Sequence, residues 1–222
     1  MDDLIRYAPA LAAGFLKNVQ LAAICAVFSL ILGTALVTMR VAPTPVLRVV
    51  SGVFVNVIRN TPLTLVLAFS AVGLSDTLGL TFSSVPRTNS FWLVVLGLSA
   101  YTSAFVCEAL RSGINTVPLG QAEAARSIGL TFSQSLSLIV LPQAFRSVVA
   151  PLGSVMIAMT KNTTVAIAAG YLAESAFVMK DTFDTTGVSI PIFLSLVAAF
   201  MAVTLPIGFC AGWLARRLAV AR

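Results

Sequence analysis

Long stretches without a charged residue alternate with short charged segments along this chain. The charge-free stretches run through Asn18–Met39, Thr88–Cys107 and Thr185–Ala215, and a fourth, Val49–Leu74, contains a single charge at Arg59. A helix needs about 20 mostly apolar residues to cross a hydrocarbon core, so each stretch is long enough for one crossing. With 58% hydrophobic and 10% charged residues, the chain lacks the polar side chains that cover a soluble protein. We therefore predict an all-α integral membrane protein.

The stretch between residues 127 and 173 is harder to divide into spans. Its apolar pieces are separated by Arg146 and Lys161, and composition alone permits one crossing or two. A single crossing near Ala150–Thr160 puts eight arginines, including Arg222, and two glutamates on one side, with five basic and six acidic residues on the other. Cytoplasmic loops carry the excess of Lys and Arg. The charge bias therefore predicts five spans, with the N-terminus outside and the C-terminus in the cytoplasm.

Several kinds of chemistry are excluded by what the sequence lacks. It has no histidine, and its three cysteines, Cys25, Cys107 and Cys210, are far apart within apolar runs. A zinc site, a haem site and a Ser-His-Asp triad are thereby excluded or disfavoured. No GxxxxGK[ST] phosphate loop is present. We expect no catalytic residue, metal or cofactor in this chain, and any nucleotide chemistry must come from another subunit.

A short helix is predicted between the third and fourth spans. Ala122–Ile128 is rich in strong helix formers, with an acid near its start and a base toward its end. Pro118 lies ahead of it as a start signal, and Gly129 follows as a C-cap. Pro142 then breaks or turns the next helix. Taken alone, this pattern is that of an ordinary amphipathic surface helix.

The full spacing is more specific, because Glu-Ala-Ala, three residues, Gly, nine residues and Ile-x-Leu-Pro resembles the "EAA" signature of permease subunits of bacterial ATP-binding-cassette importers. The motif positions are Glu123, Ala124, Ala125, Gly129, Ile139, Leu141 and Pro142. The resemblance implies that this short helix docks in a groove of an ATPase subunit. We call residues 112–146 the EAA loop and expect it to be the cytoplasmic coupling loop.

Further segments narrow the resemblance to permeases of polar-amino-acid importers. They are Val57–Leu63, Glu108–Ile114, Gly120–Ala125, Leu141–Ala144 and Thr160–Thr164. Within this branch the chain looks most similar to actinobacterial glutamate-importer permeases. The resemblance implies the five-span, type I importer permease fold as a single domain over residues 1–222, with a core at about 12–215. It also places the stretch after the EAA helix at the cytoplasmic face, with the fourth span beginning after the Leu-Pro pair.

The same resemblance implies a function and a set of partners. The chain would be the permease subunit of an ATP-driven importer of a polar amino acid, with glutamate foremost, in the bacterial plasma membrane. It would pair with a homologous permease chain, two ATPase subunits that use ATP and Mg, and an extracytoplasmic binding protein. The alternative is a secondary transporter driven by an ion gradient. Such a protein needs an inverted repeat or acids within its spans, whereas every acid here is predicted at a span end or in a loop.

Arg59 is the one charge predicted inside a span, and Asn60, Thr61 and Pro62 follow it. Because a buried charge is costly, such a residue usually faces a cavity or a partner. One interpretation puts Arg59, Asn60 and Thr61 on the substrate pathway near mid-membrane. The other has Arg59 reach an interface or pair with an acid of a sister subunit.

Two further polar groups lie near the predicted outer face. Lys161 is followed by Asn162, Thr163 and Thr164, a set that suits a passing carboxylate or, alternatively, a lysine that caps a helix C-terminus. The second group is the connection between the fourth and fifth spans, which either docks the binding protein or is a solvated loop. Its charged residues are Glu174, Lys180, Asp181 and Asp184. Arg111, three residues after Glu108, is assigned to structure or to the ATPase contact.

Overall fold

A computed structural model describes residues 2–218 of the chain as a helical bundle. Arg222, which entered the charge count, lies outside the described residues. The helices are α1 (Asp2–Val41), α2 (Pro45–Arg59), α3 (Leu63–Ala68), α4 (Pro86–Ile114), α5 (Leu119–Ser127), α6 (Phe132–Ser135), α7 (Leu141–Asn162), α8 (Ser175–Thr186) and α9 (Ile190–Leu218). Four helical stretches of this part are long and apolar enough to cross a membrane, and the broken pair α2–α3 makes a fifth. The predicted all-α fold with five spans is confirmed.

Helices α1 and α4 run in the same direction and form the centre of the bundle. Cys25 of α1 lies beside Val95 of α4, and Gly33 lies farther along beside Val106. A Cβ at Gly33 would come within 2.5 Å of the Val106 side chain. The two backbones can approach this closely only because glycine has no Cβ. Both helices therefore end on the same side of the bundle, which we call the EAA end because α4 leads there into the EAA loop.

The second span is broken rather than straight. Its two parts, Pro45–Arg59 and Leu63–Thr77, meet at an angle of 108°, and residues 69–77 continue α3 as a π-helix. Pro62 has no backbone N–H and restricts the residue before it, so the first helix ends ahead of it. The weak point expected after Arg59 is thus a real break in the chain direction.

The fourth span runs in the opposite direction to α1 and α4. Residues 136–140 form a π-helical turn that joins α6 to α7, and α7 begins at Leu141 with Pro142 in its first turn. Pro142 therefore lies at the start of the helix that forms the fourth span, close to the boundary predicted at the Leu-Pro pair. At the EAA end, α7 packs so closely on α4 that a Cβ at Gly113 would lie 2.0 Å from the Val148 side chain. Farther along, Gly153 packs on Ala211 of α9.

The connection before α9 contains a buried carboxylate at the opposite side of the bundle, which we call the α8 end. Glu174 is 0% exposed, and its carboxylate accepts hydrogen bonds from the backbone N–H groups of Ala176 (2.7 Å) and Phe177 (2.8 Å) as the N-cap of α8. Asn18 of α1 donates to it at 3.4 Å and to Thr163 at 3.0 Å. The expectation of Glu174 on a solvated or docking surface is wrong, because this residue fastens α8 to α1.

Candidate functional site: the EAA loop and the arginine cluster

The predicted EAA helix is α5, and both of its ends follow the sequence signals. It begins after Pro118, three residues earlier than predicted, and ends at Ser127. Gly129 has a φ of +91°, a left-handed conformation that glycine adopts without strain. Its N–H donates to the carbonyl of Arg126 (3.0 Å), and that of Leu130 donates to Ala125 (3.1 Å). The glycine thus ends the helix as predicted.

Helix α5 has one packed face and one open face. Ala125 is buried, and Ala122 packs on the apolar cluster of Val117, Val140 and Ala144. The opposite face is exposed at Leu119, Gly120, Glu123, Ala124, Ser127 and Ile128. Leu119 and Ile128 are each 80% exposed. The exposed surface of α5 and the residue after it thus carries two large apolar side chains, Leu119 and Ile128, with Glu123 and small residues between them.

The remaining motif positions lie where the EAA loop returns to the bundle. Ile139 is half-buried, and its carbonyl accepts a hydrogen bond from Gln143 at 3.0 Å, whereas Leu141 and Pro142 are exposed. Thr116 and Ser147 bond to each other across the loop at 3.1 Å. These contacts join the loop to the ends of α4 and α7.

Four charged side chains from three helices meet next to the EAA loop, on its bundle side. One carboxylate, Glu108 of α4, faces Arg40 of α1 (2.5 Å), Arg111 of α4 (3.1 Å) and Arg59 of α2 (3.6 Å). We call these four residues the arginine cluster. The expected Glu108–Arg111 pair is present, but two further arginines share its carboxylate.

Arg59 lies toward the EAA end of the bundle. Its partner Glu108 is eight residues beyond the middle of α4, or about 12 Å along the helix axis. Its ion pair is to an acid of its own chain, and its guanidinium lies 5.8 Å from the centre of the Phe105 ring. Asn60 and Thr61 donate to the carbonyls of Asn56 and Val57, which partly satisfies the backbone at the break.

A cleft of about 330 Å³ opens between α4 and α7 next to Arg59. The α4 wall includes Phe105, whose ring Arg59 overlies, and Thr102. The α7 wall includes Asn162. The remaining lining residues are Tyr101, Ser154, Val155, Ala158 and Met159. Asn162, a predicted pathway residue, thus lines a mostly apolar cleft, and Arg59 lies beside it on the Phe105 ring.

The other residues of the 161–164 run point to different surroundings. Lys161 is exposed, and Thr164 donates to the carbonyl of Lys161. Thr163 is 0% exposed, accepts from Asn18 and donates to the carbonyl of Thr160. Its enclosed hydroxyl contradicts the expectation that Thr163 faces a solute.

Two contacts of the structure were not predicted from the sequence: the shared carboxylate of Glu108 and the buried contact between Asn18 and Glu174. The two partners of the second contact are 156 residues apart, so no local pattern could pair them. A weak signal existed for the first contact, because Arg40, Glu108 and Arg111 all lie near predicted span ends on the same side.

Comparison with known proteins places the chain in one family. Residues 26–220 match the model of the "binding-protein-dependent transport system inner membrane component" family. The chain is 47% identical to a glutamate transport system permease protein of Corynebacterium efficiens over 218 residues, 96% of this chain and 95% of the relative. It is 45% identical, with the same coverage, to the corresponding protein of Corynebacterium glutamicum.

A solved structure shares the whole fold. The crystal structure of an amino acid ABC transporter with histidines contains a chain that superposes with a TM-score of 0.84, at 25% sequence identity and 96% coverage of both chains. Taken with the apolar spans and the EAA helix, these matches show that the chain belongs to the inner-membrane components of binding-protein-dependent transport systems and is a permease subunit of an ATP-binding-cassette importer in the plasma membrane.

Proposed function

We propose that this permease imports a polar amino acid into the cytoplasm, with glutamate as the solute. The two Corynebacterium relatives are named for glutamate transport. The arginine cluster, which has three cations around one carboxylate, lies beside the α4–α7 cleft and gives this part of the bundle an excess of positive charge. Such an excess favours an anionic solute over its neutral amide.

The exposed face of α5 is the observation that supports ATP-driven transport most directly. A monomer gains nothing by holding Leu119 and Ile128 in water at 80% exposure, and exposed apolar side chains around a polar centre mark a docking surface. We assign this face to an ATPase subunit, with Glu123 and Ala124 at the contact. Ala125, which was expected there, is buried on the opposite face of α5 against the bundle. The small residues permit close approach of the partner.

The working assembly would contain this chain, a homologous permease chain, two ATPase subunits and an extracytoplasmic binding protein. ATP and Mg would bind to the ATPase subunits, and this chain would bind no cofactor or metal. Dimerisation of the ATPases on ATP would push the EAA helices and tilt the spans from inward-open to outward-open, and hydrolysis would reset them. The EAA end would then face the cytoplasm, as the charge bias predicts.

The solute would pass along the cleft between α4 and α7. Asn162 and Thr102 line this cleft and offer hydrogen-bonding groups, while Arg59 at the break in the second span offers a cation. Lys161, exposed at the end of α7 toward the α8 end, would attract the carboxylates of the incoming solute. Asn60 and Thr61 would shape the break through their bonds to α2.

The docking proposal is tested by reversing the charge at the centre of the exposed face. In proteoliposomes that contain the complete assembly, Glu123→Lys should leave ATP hydrolysis measurable while glutamate uptake per ATP falls at least about fivefold. Asp76→Lys is the matched control, since Asp76 is also exposed but lies outside the EAA loop. Normal coupling in Glu123→Lys would reject the assignment.

A further inference from the structure

Glu108 is the single acceptor for three arginines that come from different parts of the chain. Arg40 is the second-last residue of α1, Arg59 is the last residue of α2, and Arg111 is on α4 itself. The carboxylate is therefore the point where the first, second and third spans are joined electrostatically at the EAA end.

The three contacts are unequal. Arg40 is the closest at 2.5 Å and is mostly covered, whereas Arg59 is the most distant at 3.6 Å and is 42% exposed. A single carboxylate cannot saturate three guanidinium groups, and the Nε of Arg111 is buried without a hydrogen-bond partner in the described part of the chain. Arg59 is thus the member of the cluster that exchanges partners at the lowest cost.

Glu108 is also tied firmly to the EAA loop. From Glu108, α4 continues for six residues to Ile114, and the four residues 115–118 then lead to α5. Gly113 lies against Val148, and Thr116 bonds to Ser147, so the end of α4 and the start of α7 are packed without space to slide freely. A displacement of the loop must therefore move the Glu108 carboxylate.

On the other side, Arg59 lies directly before the break in the second span. Beyond the break, Leu63 and Leu67 are fixed in the core with Val94 and Leu98. Before it, Val55 and Ile58 pack on α1 and α4, and Arg59 itself is held by the Glu108 contact and by the Phe105 ring that lines the cleft. Movement of Glu108 would change the angle at the break and, with it, the wall of the cleft.

We propose that Glu108 is a positioning residue for transport, which delivers movement of the EAA loop to the break in the second span through Arg59. Arg40 and Arg111 hold the carboxylate in place, and the looser Arg59 contact changes length during the cycle. This inference rests on the proposed ATP-driven function, because it needs a moving EAA loop. It assigns no contact between Glu108 and the solute.

The test uses the complete assembly in proteoliposomes and measures solute uptake per ATP hydrolysed. Glu108→Gln, which keeps the shape but removes the charge, should lower this ratio about tenfold, within the usual range of coupling between sites. Glu108→Asp should restore part of it, to about threefold below the unmodified protein. The control is Asp76→Asn, because Asp76 is an exposed carboxylate with no cation within 4 Å in the described part of the chain.

A merely structural role would lower the yield and the thermal midpoint but leave the uptake-to-ATP ratio of the assembled fraction unchanged, and that result would overturn the inference. If Glu108→Gln does not assemble, the ratio of Glu108→Asp decides, and a value equal to that of the unmodified protein would again overturn it. Failure of the unmodified assembly to couple ATP to uptake would instead reject the proposed function, so the two failures are distinguishable.

Discussion

Two glutamates, one at each end of the bundle, are stabilised in opposite ways. Glu174 at the α8 end is fully buried, and its partners are two backbone N–H groups and the amide of Asn18. Glu108 at the EAA end is partly exposed, and its partners are three arginines. The first carboxylate has neutral donors at both oxygens, whereas the second is surrounded by more positive charge than it can neutralise.

This difference indicates which end of the permease is fixed and which end moves. Neutral hydrogen bonds in a closed site are lost only at a high cost, since each donor left behind stays buried and unpaired. Ion pairs of the more exposed partners Arg59 and Arg111 can exchange, because water and other cations compensate for a lost partner. We therefore expect changes at Glu174 to affect stability and changes at the arginine cluster to affect transport.

The largest effect is expected for Glu174→Ala, which would leave the N–H groups of Ala176 and Phe177 without their acceptor and the Asn18 amide with Thr163 alone. We expect a loss of about 3 kcal/mol in the free energy of unfolding, measured by thermal or denaturant unfolding in detergent. Asp184→Ala on the same helix is the control, because its pair with Lys180 is exposed and its loss should not be measurable. Equal stability of the Glu174 variant and the control would remove the contrast between the two ends.

The next prediction concerns the packing of apolar side chains at the EAA end, beside the exchangeable ion pairs of the arginine cluster. In Gly113→Ala the new Cβ would lie 2.0 Å from Val148 Cγ1 and 3.0 Å from the carbonyl oxygen of Ala144. Overpacking of this kind typically costs about 2 kcal/mol, and we expect it to reduce both the thermal midpoint and uptake. Gly120→Ala in the same loop meets no atom within 4 Å and should leave the midpoint unchanged. An unchanged thermal midpoint and uptake in Gly113→Ala would mean that α4 and α7 can slide past each other. Movement of the EAA loop would then not displace Glu108.

A smaller effect concerns the choice of solute. Arg59→Gln removes the most exposed cation of the cluster and should reduce the preference for glutamate over glutamine about tenfold, or about 1.4 kcal/mol. The measurement is competition for labelled glutamate by unlabelled glutamine in the full assembly. Arg48→Gln, an exposed arginine on the same helix, should preserve the preference. Equal selectivity in both variants would remove Arg59 from the solute pathway.

The smallest effect is the pH dependence of the α8 end. Burial raises the pKa of the Glu174 carboxyl, and the N–H groups of Ala176 and Phe177 and the Asn18 amide only partly oppose it. Because the folded state then holds the proton more tightly than the unfolded chain, this group stabilises the fold more as pH falls toward its ordinary pKa and less as pH rises through the raised value. Compared with Glu174→Gln, the unmodified protein should therefore gain stability in detergent unfolding as the pH is lowered from 8 toward the ordinary carboxyl pKa of 4.5. A loss over the same interval would show that the carboxylate, and not the acid, is the favoured form.

Local signals predicted most of the fold. Charge-free length identified the spans, Pro118 and Gly129 bounded the EAA helix, and the Arg59–Pro62 segment marked a break. All of these depend on residues close together in the chain. The sequence could also place Glu108 and Arg111 on one helix turn, since their spacing is three residues.

Contacts between distant residues were not predictable in this way. Asn18 reads as the first residue of an apolar stretch, and Glu174 reads as part of a polar connection, yet they meet in a closed site. Hydropathy did not predict the surroundings of Arg59, because they depend on the 108° bend after α2 and on the contact with Glu108 of α4. Likewise, the run 161–164 changes from α-helix to 3₁₀-helix after Asn162, which turns neighbouring side chains to different surroundings.

ATP-driven import is tested most directly by glutamate uptake in a reconstituted system with every ion gradient collapsed by ionophores. The system contains this permease, its partner permease, the ATPase subunits and the binding protein. We expect uptake to continue on ATP alone and to stop when the ATPase subunits carry a catalytically inactivating substitution. Uptake that survives the inactive ATPase and disappears with the ion gradients would contradict ATP-driven import and would favour a secondary transporter.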